Sequence, residues 1–142
     1  MIEVVAALII RSERILLGHR SADRAFYPGV WDVFGGHVEP GERYEQTLVR
    51  ELQEELDITP TQWKYLESIS LSPFNEGSDP LTIHLYLVTD WTGTPTNRQL
   101  EEHSTIGWFS LAQATELHLA HPKYPTIFAQ YLSSETDGET NE

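Results

Sequence analysis

The sequence predicts an α/β protein with a mixed β-sheet, from three observations. Short β-branched or alternating runs bounded by polar turns predict strands over 2–10, 14–19, 31–34, 61–71, 81–88 and 105–109. Apolar Tyr44, Leu48, Leu52 and Leu56 recur at steps of four, with Val49 widening the stripe, which predicts one amphipathic helix over about 42–56. Strands and helices alternate along the chain with no internal repeat, the pattern of a sheet with helices packed on it.

Each element has a local cause. The first two strands read as a hairpin because Arg11, Ser12 and Glu13 make a short polar turn between apolar runs. The 31–34 strand ends on Gly35 and Gly36 and delivers the chain to the helix. Glu39, Pro40 and Gly41 supply turn chemistry ahead of it, and acidic Glu42 and Glu45 suit the positive end of its dipole. Over 81–88, Leu81, Ile83, Leu85 and Leu87 face one way, while Thr82, His84 and Tyr86 face a partly polar side. Ser110 caps a brief helix through Glu116. A final helix is predicted over 124–132, with Pro125 in its first turn and Ile127, Phe128, Tyr131 and Leu132 as its apolar face. Length predicts one domain over 1–132, and the acidic stretch 133–142, without an apolar residue, is expected to be a disordered tail.

Composition narrows the partners. A formal charge of −13 argues against non-specific binding to nucleic acid or to an anionic membrane, since both need a basic surface. A polyanionic substrate would need a cation to accompany it. The absence of cysteine removes disulfide and thiol chemistry. The opening apolar run is too short to span a bilayer and lacks a cleavage site, so a cytoplasmic location is expected. Oligomeric state stays open, a homodimer included.

The chemistry concentrates on the predicted helix. Glu51, Glu54 and Glu55 stand at i, i+3 and i+4 and share one side, where like charges repel. A hard divalent cation reverses the sign of that interaction, so the helix reads as a platform for Mg²⁺ or Mn²⁺. Glu51 and Glu55 fall at the edge of the apolar stripe, where helix meets sheet. Arg50 precedes the set, and a guanidinium can hold a carboxylate in bidentate fashion.

The stretch 36–58 resembles the signature of the Nudix hydrolase family. It matches at Gly36, Glu42, Arg50, Glu51, Leu52, Glu54, Glu55 and Ile58. Asp57 stands where the family usually has Gly, a position that ends the helix, often in left-handed geometry that Asp tolerates. Phe34 stands where many relatives have Pro. The resemblance extends through His19, Arg20, Ser21, Trp31, Asp32 and the segment 102–109, covering most of residues 2–132.

The resemblance implies a Nudix α/β/α sandwich and a Mg²⁺- or Mn²⁺-dependent pyrophosphohydrolase. Its substrate would be a nucleoside diphosphate linked to another moiety, a nucleoside triphosphate or oxidised nucleotide first among them. It implies Glu51, Glu54 and Glu55 as metal ligands, with Glu51 or Glu54 also serving as general base. Arg50 would orient them, Glu42 and Gly36 would support the motif, and Gly35 would lend a carbonyl to the metal. Glu102, with Glu101 as the fallback, would bring a further carboxylate from a distant loop. Among the other residues, Arg20 and Arg24 are candidates for phosphate oxygens. Trp31 and His84, with Phe26, Tyr27 and Phe74, are candidates for stacking on a base, against the ordinary packing role of aromatic and imidazole rings.

Three rivals remain. A nucleotide-binding regulator on this fold would usually lack a box carboxylate, and none is missing here. A nucleotide-sugar hydrolase is another. An isoprenoid diphosphate isomerase is disfavoured because that chemistry uses a cysteine.

Overall fold

The computed structural model describes residues 2–21, 29–71, 80–100 and 103–140. Contacts divide the chain into two compact units, one of Met1–Leu8 with Phe34–Thr96 and one of Ile9–Val33 with Asn97–Glu142.

The first unit holds the first part of β1 (Ile2–Arg11), then β4 (Phe34–His37), α1 (Tyr44–Leu56), β5 (Thr59–Leu71) and β6 (Leu81–Thr92). β4 lies antiparallel to β1, with Val5 opposite Gly36 and Ala6 opposite Gly35. β6 neighbours β1 and runs antiparallel to β5 from Thr59 opposite Thr92 to Leu71 opposite Leu81. The apolar stripe of α1 packs as its spacing predicts: Leu48, Leu52 and Leu56 are buried with Phe34, Leu85 and Val88, each contributing about 1.5–3 kcal/mol of hydrophobic stabilisation. Asp57 ends the helix in left-handed geometry, φ 58° and ψ 37°, its N–H donating to the Gln53 carbonyl. The face of β6 expected to be partly polar is closed instead. His84 and Tyr86 are buried because the first turn of α1 meets them, Tyr44 stacking on His84 and Glu45 accepting from Tyr86.

The second unit holds the end of β1, β2 (Arg14–Arg20), β3 (Trp31–Asp32), β7 (His103–Phe109), α2 (Leu111–Thr115) and α3 (Tyr124–Thr140). Ser12 and Glu13 both take positive φ, as a two-residue hairpin turn requires, and Arg11 pairs with Arg14. β2 pairs antiparallel with β3 at Gly18 and His19, and with β7 from Ile15 to Arg20. The single strand predicted over 31–34 is therefore two, β3 on β2 and β4 on β1. Between them the Val33 N–H donates to the Asp32 side chain. Ser110 and Gln113 cap α2 reciprocally. Ile127, Phe128 and Leu132 of α3 are buried as predicted. The helix continues to Thr140, beyond the predicted 132, because polar residues can continue a helix on intrahelical hydrogen bonds without an apolar face.

Candidate active site

The candidate site lies within the first unit, where β4, the loop after it and α1 converge. Its centre is Arg50, 25% exposed and surrounded by carboxylates. Nε donates to Glu42 Oε2 at 2.8 Å and Nη2 to Glu42 Oε1 at 3.0 Å. Nη1 donates to Glu51 Oε1 at 2.9 Å and stands 3.5 Å from Glu54. Nη2 also donates to the His37 carbonyl at 3.0 Å, and Glu39 Oε1 lies 3.7 Å from Nε. One guanidinium thus ties the loop after β4 to the middle of α1, a task its planar fork suits.

Glu42 is the anchor of this arrangement. Besides Arg50 it accepts from the buried Thr47 hydroxyl at 2.7 Å and from the Glu39 N–H at 3.1 Å. The Arg50 hydrogen bond, then those of Thr47 and Glu39, pulls its carboxyl down to about 2. The same hydrogen bond to Glu42 holds the Arg50 guanidinium above its ordinary range.

Two glycines permit close approaches at this site. A Cβ on Gly36 would occupy the space of the Glu51 carboxylate, and one on Gly35 would run into the Val5 carbonyl of β1. The Gly35 N–H donates to Glu55 Oε2 at 3.1 Å, and Glu55 is only 5% exposed. Glu51 is 15% exposed and Glu54 is 50% exposed. Among the described residues no group of three or more His, Asp or Glu is gathered closely enough to hold a metal. Glu51 and Glu54 both turn toward Arg50 Nη1, while Glu55 is held apart by the Gly35 N–H. The donor set still fits a hard divalent cation: three carboxylate side chains from adjacent turns, one almost buried and one lying in a space that only glycine leaves open.

The other predicted residues are placed differently. Arg20 and Trp31 belong to the second unit. Arg20 Nη1 stands 3.8 Å from Asp32, and Trp31 packs edge-on against His19 and Phe109 at 5.0 and 4.9 Å. Burial pushes the Asp32 carboxyl up to about 6, against the opposing pull of Arg20. His84 is 8% exposed, with both ring nitrogens engaged and Tyr44 on one face. Arg24, Glu101 and Glu102 lie outside the described residues, as do Phe26, Tyr27 and Phe74. Thr47 and the His37 carbonyl were not foreseen. Thr47 lies five residues from Glu42, and a backbone carbonyl carries no signal in residue type.

A family model described as the NUDIX domain matches residues 1–131. The chain is 40% identical over 130 residues to the CTP pyrophosphohydrolase of Escherichia coli K12, covering 91% of this chain and 90% of that protein. It is 34% identical over 115 residues to the nucleoside triphosphatase NudI of the same strain, covering 74% and 79%. The solution structure of the E. coli ORF135 protein superposes with a TM-score of 0.76 at 35% identity, covering 94% of this chain and 89% of that one. The fold is thus of the α/β class, a mixed sheet with helices, and its enzymes act on pyrophosphate bonds, in general with a divalent metal. The chain belongs to the Nudix family. No helix among the described residues is long and apolar enough to cross a membrane.

Proposed function

We propose that this Nudix enzyme hydrolyses a phosphoanhydride bond of a nucleoside triphosphate, or of an oxidised analogue, by attack of water at phosphorus. The observation that carries the reading is the Arg50 network, which locks Glu42 and Glu51 while leaving Glu54 half-exposed beside them. The two enzyme relatives, a CTP pyrophosphohydrolase and a nucleoside triphosphatase, support the substrate class.

A divalent ion, Mg²⁺ or Mn²⁺, held by Glu51, Glu54, Glu55 and the Gly35 carbonyl, would neutralise phosphate charge and acidify a bound water. Arg50 fixes the rotamer of Glu51, so that one oxygen is committed before substrate arrives. Glu55 is fixed by the Gly35 N–H in the same way. Glu54, the most exposed of the three, takes the proton of the attacking water. Cytoplasmic residence belongs to the same proposal.

The test is a panel of nucleoside triphosphates, oxidised nucleotides and nucleotide sugars at millimolar Mg²⁺, with products identified by mass spectrometry. A nucleoside triphosphate consumed with release of phosphate or pyrophosphate is the expected result. Tight nucleotide binding with no product would replace it with the regulator.

A further inference from the structure

Beyond the carboxylates gathered around Arg50, the first unit carries another connected set of ionisable side chains. Glu3 on β1, His84 on β6 and Tyr65 on β5 form a continuous chain. Glu3 Oε1 lies 3.1 Å from His84 Nε2, and His84 Nδ1 lies 3.2 Å from the Tyr65 hydroxyl. The same Glu3 oxygen accepts from the Tyr44 hydroxyl at 2.7 Å. Hydrogen bonds from Tyr44 and then His84 hold the Glu3 carboxyl below its ordinary range, so at neutral pH it is ionised and can only accept.

That fixes the histidine tautomer. Nε2 must carry the hydrogen that Glu3 accepts, which leaves Nδ1 a lone pair pointed at the Tyr65 hydroxyl. The imidazole is buried, and Tyr44 stacks on it with centroids 4.1 Å apart, so it is held in this orientation. Tyr65 is 45% exposed, its ring set edge-on against Tyr86 at 5.2 Å. A half-exposed tyrosine whose hydroxyl meets a buried imidazole acceptor, and a carboxylate that orients the imidazole, are the three parts of an activated nucleophile.

We propose that Tyr65 is a nucleophilic modification site, activated by His84 and oriented through Glu3, that accepts acyl groups from small activated acyl donors. Tyr65 Oη bonds to the acyl carbon while its proton passes to His84 Nδ1, and the imidazolium so formed faces the Glu3 carboxylate. The bond between the acyl carbon and its leaving group then breaks, and His84 returns the proton to the departing group. The product is a tyrosine ester, and nothing is oxidised or reduced.

The experiment treats the full chain with N-acetylimidazole at neutral pH, with N-acetyltyrosinamide in the same solution as reference, and follows each tyrosine peptide by mass spectrometry. Tyr65 is expected to acetylate at least about 10-fold faster than the reference, a conservative figure for general-base assistance, and hydroxylamine should remove the group, as it does an ester. His84→Gln should return Tyr65 to the reference rate. Glu3→Gln, which keeps the shape of the cluster and decides the matter should His84→Gln not fold, should slow it severalfold. A Tyr65 that reacts no faster than the reference, or equally fast in the folded variants, overturns the proposal. Neither outcome bears on nucleotide hydrolysis, which the substrate panel measures separately.

Discussion

The Arg50 guanidinium grips Glu42 through two hydrogen bonds, Nε to Oε2 at 2.8 Å and Nη2 to Oε1 at 3.0 Å, and so keeps Nη1 turned toward Glu51. Lysine carries the same charge without the fork. Arg50→Lys should therefore lower kcat by about 10- to 100-fold through misplacement of Glu51, while KM changes little. Steady-state kinetics at saturating metal check this, and wild-type turnover in the variant would contradict the orienting role.

The same grip sets an acid limit. Glu42 titrates at about 2 in the folded chain against an ordinary 4.5, a depressed carboxylate. Its contribution to stability is fully present above 4.5 and is lost as pH falls through about 2. The melting temperature of Glu42→Gln should lie below that of the wild type above pH 4.5, and the gap should close between that pH and about 2. A gap that stays constant over this window would show that Glu42 is not held ionised by Arg50.

Asp32 behaves in the opposite sense. Burial raises its carboxyl from 3.8 to about 6, so the folded state holds a proton that the unfolded chain releases. Stability is then greatest below 3.8 and declines as pH rises through about 6, by at most about 3 kcal/mol. Denaturant unfolding of Asp32→Asn should give a midpoint above the wild type at pH 7 that converges with it near pH 4. A variant less stable than the wild type at both values would rule this out.

Gly36 and Gly35 should fail in different ways. A Cβ at Gly36 meets the end of the Glu51 side chain, which can swing away. Gly36→Ala should thus melt within a few degrees of the wild type but lose about 100-fold in kcat. At Gly35 the obstacle is the Val5 backbone, so Gly35→Ala should cost more than about 2 kcal/mol of stability. Paired thermal melts and turnover measurements separate the two.

Most of the fold was legible because it follows from periodicity. The stripe of Leu48, Leu52 and Leu56 placed α1 against the core, and the polar turn at Ser12 and Glu13 placed the first hairpin. Asp57 was expected to accept the left-handed position and does. The break at Val33 was not legible, since Trp31 to Phe34 reads as one apolar run and only tertiary pairing divides it between β2 and β1. The closed face of β6 was missed for a similar reason: alternation reports which residues share a face, not what another element lays over it. Spacing gathered Arg50, Glu51, Glu54 and Glu55 on one helix. It could not give the support that Thr47 and the His37 carbonyl add, nor the chain from Glu3 through His84 to Tyr65.

In the proposed reaction Glu51, Glu54 and Glu55 would hold one divalent ion against the substrate's phosphates. Titration with Mn²⁺, followed by the spin-resonance signal of the free ion, tests it on the wild type and on Glu54→Gln and Glu55→Gln. Binding at least about 10-fold weaker in each variant, with kcat down about 1,000-fold and an unchanged circular dichroism spectrum, is the predicted result. Variants that bind manganese and turn over nucleotide as the wild type does would contradict it.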